Sequence, residues 1–338
     1  MVYVDRPVER LDNRTRLEIL RLIAELPSPV GANTLLSHLV QRGIEIGLDG
    51  VRYHLRVLDE QGFTFRVSTK GRILTDEGRS ELRNSLVDTR MNVAVARIET
   101  LAHLVTFDPG SSTGRVVGAL AVFPETHLPR VLHDAVRICE TRFAVSNRIA
   151  VVSAGERFGR VIVPAGQAGL VMVGTAAIDG IILSRAVMFR PTFTGIVEVR
   201  EWQPTRFVDV LEYGQGSRDP LEVLTTGGNT QVLGIIERGS GLIPADVREV
   251  PGVARERIEQ LEKELRRAGM GGILAIGQVG QPVLGLPVRQ HTFGIALAAG
   301  IIPAVTSYEG GVPVEFHCSE AIVDFSSLTP ANELLAAL

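Results

Sequence analysis

Apolar residues recur at helical spacing three times near the start of the chain. Leu17, Leu20, Ile23 and Ala24 form one stripe within Arg14 to Leu26, and Leu35, Leu36, Leu39 and Val40 form a second within Gly31 to Gln41. A third helix is predicted over Leu48 to Gln61, where Val51, Leu55 and Leu58 sit at i, i+4 and i+7. Pro27-Ser28-Pro29 ends the first helix because each proline disfavours helical geometry at the residue before it. Gly43 and Gly62 close the other two, and Asp49 is a candidate N-cap. Phe63 to Val67 and Arg72 to Leu74 are then short apolar–basic runs around Ser68-Thr69-Lys70-Gly71, which predicts a hairpin. Asp76 to Leu86 continues as a polar helix. Three helices and a two-stranded wing make up a winged helix-turn-helix, with Leu48 to Gln61 as its recognition helix.

Beyond this the pattern changes. Asp88 to Arg115 reads as a connector, with apolar residues from Met91 to His103 and a loop from Phe107 to Gly114. Val116 to Phe123 is a predicted strand. Leu128 to Arg142 is a predicted helix with Val131, Leu132, Ala135, Val136 and Cys139 on one face. Ile149 to Ser153, Val161 to Val163, Ala168 to Val173, Gly180 to Leu183 and Gly195 to Val199 follow as strands. A comparable order returns with a strand at Val232 to Ile236, a helix at Val253 to Ala268, and strands at Gly272 to Ile276, Val283 to Leu286, Phe293 to Ala298, Val312 to Phe316 and Ala321 to Phe325. Residues 116–200 and 232–325 therefore read as an internal duplication, too long in period for a solenoid. The expected fold class is α+β: a winged helix-turn-helix at residues 1–88, a connector at 89–115, and an internally duplicated α+β regulatory domain at 116–330.

Charge refines this picture. The 338-residue chain has a formal charge of −3, and residues 1–90, with 14 basic and 13 acidic residues, account for +1 of it. That is too little for indiscriminate nucleic-acid binding. Basic residues concentrate instead between Phe63 and Thr75, which hold Arg66, Lys70 and Arg72 and no acid. The residues expected to meet double-stranded DNA are Arg52, Tyr53 and Arg56 on the recognition helix and Lys70 and Arg72 on the wing. Arginine can bridge a guanine edge or hold a phosphate. The competing reading pairs Arg56 or His54 with Asp59 or Glu60 along the helix. A homodimer is expected, since pairing doubles the basic surface of one copy.

Enzyme chemistry finds little support. The seven histidines show no metal-binding spacing, and Gly227-Gly228-Asn229 lacks the glycine pattern of a nucleotide-binding loop. Cys139 and Cys318 are too few for a disulfide framework and read as core residues. No metal or catalytic residue is expected. The longest apolar stretch, Ile295 to Val305, is too short for a membrane span, and no signal-peptide pattern opens the chain, so a cytoplasmic location is expected.

Several runs in order resemble the NrpR family of archaeal-type nitrogen-regulation repressors, whose winged helix is of the kind found at the start of some ribonuclease R proteins. They are Arg52-Tyr-His-Leu-Arg-Val-Leu-Asp-Glu-Gln-Gly62, Val173-Gly-Thr-Ala-Ala-Ile-Asp-Gly-Ile-Ile-Leu183, Asp219-Pro-Leu-Glu222 and Gly271 to Pro287. The resemblance implies a DNA-binding repressor with an effector domain responsive to 2-oxoglutarate. Ala176 departs from the family's pattern, where a cysteine often follows Gly-Thr. A small dianion needs convergent N–H and hydroxyl donors with one or two arginines. Gly174, Thr175, Arg185, Arg190 and Thr192 are the candidates, with His291, Thr292, Ser307 and Tyr308 at comparable places in the second repeat. The alternative function is a winged-helix interaction or oligomerisation module without specific DNA binding.

Overall fold

The computed structural model describes residues 7–26, 29–67, 71–79, 82, 93–213 and 219–336. The chain divides into two compact units, Met1–Met91 and Asn92–Leu338.

In the N-terminal unit, α1 (Pro7–Glu25), α2 (Ala32–Gln41) and α3 (Leu48–Glu60) precede the hairpin of β1 (Thr64–Val67) and β2 (Gly71–Leu74). Ile19, Leu20, Leu22 and Ile23 of α1 pack with Leu35 and Leu39 of α2 and with Val51, Leu55 and Leu58 of α3. Leu74 joins them from the wing. Two residues of the expected apolar stripes, Ala24 and Val40, face outward instead; Ile19 and Leu22 are buried in this core. Val30 adds a bridge to the wing, its N–H and carbonyl each bonding Arg72 at 2.9 Å. Gly71 makes this approach possible, because a Cβ there would lie 2.4 Å from the Val30 carbonyl oxygen. The helix expected over Asp76 to Leu86 is described only at residues 76–79 and 82.

The C-terminal unit begins with α4 (Val93–His103), inside the stretch read as a connector. It is part of the fold: Arg97 donates to the Glu320 carbonyl at 2.6 Å and pairs with the Glu320 carboxylate at 2.9 Å. The first repeat then runs β3 (Arg115–Pro124), α5 (Leu128–Cys139), β4 (Arg148–Val152), a small hairpin of β5 (Arg157–Phe158) and β6 (Val161–Ile162), β7 (Gln167–Val173), α6 (Thr175–Ser184) and β8 (Arg190–Arg200). After β9 (Gln203–Glu212), α7 (Pro220–Thr226) and α8 (Val232–Arg238) comes the second repeat. It comprises β10 (Gly241–Pro251), α9 (Arg255–Arg267), β11 (Ile273–Ile276), β12 (Thr292–Ala298), α10 (Ile302–Glu309) and β13 (Glu315–Asp324). β14 (Thr329–Pro330) and α11 (Ala331–Ala336) complete the unit.

Several expected elements differ. Gly180 to Leu183 belongs to helix α6, which is buried on nearly every face; without a polar side its apolar run mimics a buried strand. Val232 to Ile236 is helix α8, so the second repeat starts at β10, and β9 and β10 are strands that the sequence pattern does not predict. Val283 and Leu286 form an isolated bridge. The two strands expected between Val312 and Phe325 are one strand, β13.

Both five-stranded sheets are antiparallel, in the orders β13-β3-β7-β4-β14 and β11-β12-β10-β8-β9. Each repeat builds three adjacent strands of its own sheet and sends its last strand to the other: β8 pairs β10, and β13 pairs β3. Neither sheet is complete without the other repeat. The two repeats also meet where β7 and β12 end. Gly300 lies so close to Gly174 that a Cβ on Gly300 would stand 2.4 Å from the Gly174 Cα. Thr175 Oγ1 accepts the Gly300 N–H at 2.9 Å and donates to the Ala298 carbonyl at 3.2 Å. Overpacking a tight contact of this kind costs about 1–3 kcal/mol. Gly300→Ala is therefore expected to lower the urea midpoint of the C-terminal unit by an equivalent amount; an unchanged midpoint would show that the two strand ends can separate freely.

Candidate functional site

Helix α3 turns Val51, His54, Leu55 and Leu58 inward, and this fixes what faces out. Arg52, Tyr53 and Arg56 are all exposed. Arg52 pairs with its neighbour Asp49 at 3.3 Å, an exposed i,i+3 contact worth a few tenths of a kcal/mol. The Tyr53 ring meets His54 edge-on at 5.4 Å. These three side chains form one polar face with two guanidiniums and an aromatic hydroxyl. His54, left open by the sequence, is in the core.

The wing residues separate. Lys70 lies outside the described residues. Arg72 is not at a free tip: its Nε bonds both Asp59 carboxylate oxygens, at 3.1 and 2.8 Å, and its Nη2 lies 2.8 Å from Asp59 Oδ2. Thr64 Oγ1 donates to the same carboxylate at 2.6 Å. Arg72 thus ties the wing to the end of α3. Asp59, a possible partner for Arg56 on sequence spacing, is taken up by the wing.

The five residues expected to gather around a dianion in the C-terminal unit do not gather. Gly174 and Thr175 form the buried junction between repeats. Arg185 pairs with Glu264 at 2.8 Å and lies 3.9 Å from Asp108. Arg190 reaches Glu249 at 3.4 Å, and Thr192 donates to the Val247 carbonyl at 3.3 Å. In the second repeat Thr292 donates to Glu249, buried Ser307 donates to Asp134 at 3.0 Å, and Tyr308 donates to the Thr226 carbonyl at 3.2 Å. His291 is exposed at a positive φ of 67°.

A buried ion cluster is the feature that sequence reasoning misses. Arg248, fully buried on β10, holds Asp179 of α6 with two bonds of 2.9 Å. Asp246 lies 3.6 Å from Arg248 and accepts from Thr194 at 2.6 Å. The Arg248 guanidinium also lies 5.0 Å from the Tyr213 ring centroid. Burial disfavours the Arg248 charge, but the Asp179 and Asp246 carboxylates outweigh it and raise its pKa. Asp246 is pushed up by burial in spite of Arg248. Asp219, the N-cap of α7, is pushed up to about 7, first by burial and then by the Asp246 charge. Asp179 and Asp219 stand inside two of the runs that carry the family resemblance, and that is the signal by which they could be found. Asp246 and Arg248 lie outside those runs, in a stretch given no predicted element, so nothing in the sequence marks them.

Residues 91–330 match the family model described as NrpR regulatory domains NRD1 and 2, and residues 17–82 match that of the ribonuclease R winged-helix domain. The chain belongs to the NrpR family. It is 30% identical over 315 residues to the global nitrogen regulator NrpRI of Methanosarcina mazei, covering 93% of this chain and 97% of that protein. It is 26% identical over 318 residues to the global nitrogen regulator NrpR of Methanococcus maripaludis, a match spanning 94% of this chain and 55% of that longer protein. A crystal structure of a nitrogen repressor-like protein from Methanococcus jannaschii superimposes with a TM-score of 0.59 at 25% identity, covering 70% of this chain and 98% of that one. This NrpR-family chain is accordingly a regulator of transcription and not an enzyme. Among the described residues no helix is long and apolar enough to cross a membrane.

Two outcomes follow from the cluster. Removing one partner of a buried ion pair strands the other, at about 3–5 kcal/mol, so Asp179→Ala is expected to lower the free energy of chemical unfolding by that order. For Asp219 the folded pKa lies above the unfolded value of about 3.9. Its contribution is complete below pH 4 and is lost as pH rises through 7. Asp219→Asn keeps an N-cap but removes the proton, so the difference in stability between wild type and variant should shift steadily against the wild type from pH 4 to 7.5. A pH-independent difference would refute the assignment.

Proposed function

We propose that the chain represses transcription by binding double-stranded DNA as a homodimer, with α3 of each copy in the major groove, and that a small metabolite bound to the C-terminal unit controls it. The observation that carries the reading is the exposed face of α3, where Arg52, Tyr53 and Arg56 stand together while Val51, Leu55 and Leu58 hold the helix in the core. The lock between Arg72 and Asp59 supports it, since a wing pinned to the recognition helix presents both elements to DNA as one body. The near-neutral charge of residues 1–90 favours a dimer, because one copy supplies few phosphate contacts. The nitrogen signal is taken from the two global nitrogen regulators that the chain resembles, and the repressor role from its structural neighbour, a nitrogen repressor-like protein.

For the effector, 2-oxoglutarate is proposed from the family resemblance. Of the five candidate residues, Arg185 lines a cavity of about 320 Å³ together with Glu256, Arg257, Gln260, Leu261 and Glu264. An open wall with two guanidiniums and an amide admits a dicarboxylate where the enclosed Thr175 does not, and the ligand would displace Glu264 from Arg185. The ligand alters DNA binding only so far as it binds one arrangement of the protein more tightly than another.

Arg52→Ala and Arg56→Ala are each expected to weaken retardation of cognate duplex DNA by about 1–3 kcal/mol with the fold retained. Arg185→Ala with Arg257→Ala is expected to abolish calorimetric heat with 2-oxoglutarate and leave DNA retardation in its absence unchanged. Full DNA affinity in the Arg52→Ala, Arg56→Ala double variant would overturn the assignment of this face, and a wild-type chain that retains no duplex DNA selectively would support the alternative of a protein-interaction module.

A further inference from the structure

The loops after α5 and α9 occupy equivalent positions in the two repeats, and they touch. Ser146 bridges Met270, and the Gly271 N–H donates to the Val145 carbonyl at 2.9 Å. A cavity of about 340 Å³ opens over this bridge, walled by the C-terminal ends of both helices. It is distinct from the cavity beside Arg185, and it shares none of that cavity's residues.

Four charged side chains line it, two of each sign: Glu140 and Arg142 from the first repeat, Glu262 and Arg266 from the second. Arg266 is already paired with Glu262, at 2.7 and 2.6 Å. Arg142 has no carboxylate partner among the described residues. Its Nη2 donates to the Leu274 carbonyl at 2.9 Å, and its Nε is buried with no hydrogen-bond partner among them. Burial, with Arg266 nearby, lowers the Arg142 pKa, which marks a cation short of compensation. The Nε is closed off from the cavity, so a carboxylate there would meet the part of the Arg142 side chain that lines it and supply the missing counter-charge. The surroundings set a limit on that ligand. Glu140 carries an opposing charge, and the carbonyl ends of two helices add negative potential at the same wall. A dianion would meet repulsion there, whereas an ammonium group would meet acceptors.

We propose that this cavity holds a small zwitterion, an α-amino acid, with its carboxylate on Arg142 and its ammonium toward Glu140 and the C-terminal carbonyls of α5 and α9. Because the walls come from both repeats, the occupant bridges them. The site is independent of 2-oxoglutarate binding beside Arg185 and stands or falls separately from it.

The test is calorimetry and thermal-shift measurement on the full chain, titrated with each of the twenty proteinogenic amino acids, with 2-oxoglutarate and with inorganic phosphate. At least one amino acid is expected to bind saturably, and Arg142→Gln is expected to weaken it at least tenfold while leaving any 2-oxoglutarate response unchanged. Arg142 also anchors the loop at Leu274, so Glu140→Lys, at an exposed position, provides a second variant that keeps the fold and should lose the same ligand. The assignment is overturned if no amino acid binds the folded wild type. It is equally overturned if binding survives both variants, or if phosphate or 2-oxoglutarate displaces the amino acid at comparable concentration.

Discussion

Two glycines, Gly174 and Gly300, let the ends of β7 and β12 meet with no side chain between them, and Thr175 closes the contact with two hydrogen bonds. Much of the C-terminal unit depends on that approach. Each repeat places its last strand in the other's sheet, so the exchange of β8 and β13 and this backbone contact join the same two halves. The junction also explains why Thr175, a reasonable ligand donor in sequence, serves the fold. Its hydroxyl has one donor and one acceptor role filled by protein, in a place closed to water.

The duplication is not faithfully symmetric, and the departures carry information. Pro124 and Pro251 end equivalent strands, each leading into a single 3-10 turn. Counting back through the strand registers, Ala119 and Ala121 of β3 stand where β10 has Asp246 and Arg248. One half is packed with small apolar groups and the other with a salt-bridged cluster. Burying charges is seldom a route to stability, and the cluster makes the second half sensitive to protonation and to loss of any one member. Glu249, next in the strand, extends the polar region through Arg190, Arg289 and Thr292 toward the surface.

In the N-terminal unit the same logic appears on a smaller scale. The apolar stripe of α3 is legible because burial of Val51, Leu55 and Leu58 imposes a helical period, and the outward placement of Arg52, Tyr53 and Arg56 follows from it. The role of Arg72 is not legible. Basic residues in a predicted hairpin look alike, and only folding brings Asp59, thirteen residues earlier, under one of them.

The sequence by itself determined the winged-helix order, the existence of a duplicated α+β region and the absence of enzymatic spacing, all of which depend on local periodicity and turn chemistry. Strand exchange, the Gly174–Gly300 contact and the convergence of Asp179, Asp219, Asp246 and Arg248 were decided by the tertiary structure. These features join residues far apart in the chain, and charged residues within apolar strands give no local sign of whether they meet water or one another. Helix α6 resembles a strand in sequence for a related reason: a segment buried all round loses the polar face by which its period is recognised, and in α8 the apolar run Val232 to Ile236 is too short to show one. The polar groups that a ligand would need are visible in the sequence one by one, but their distances are not.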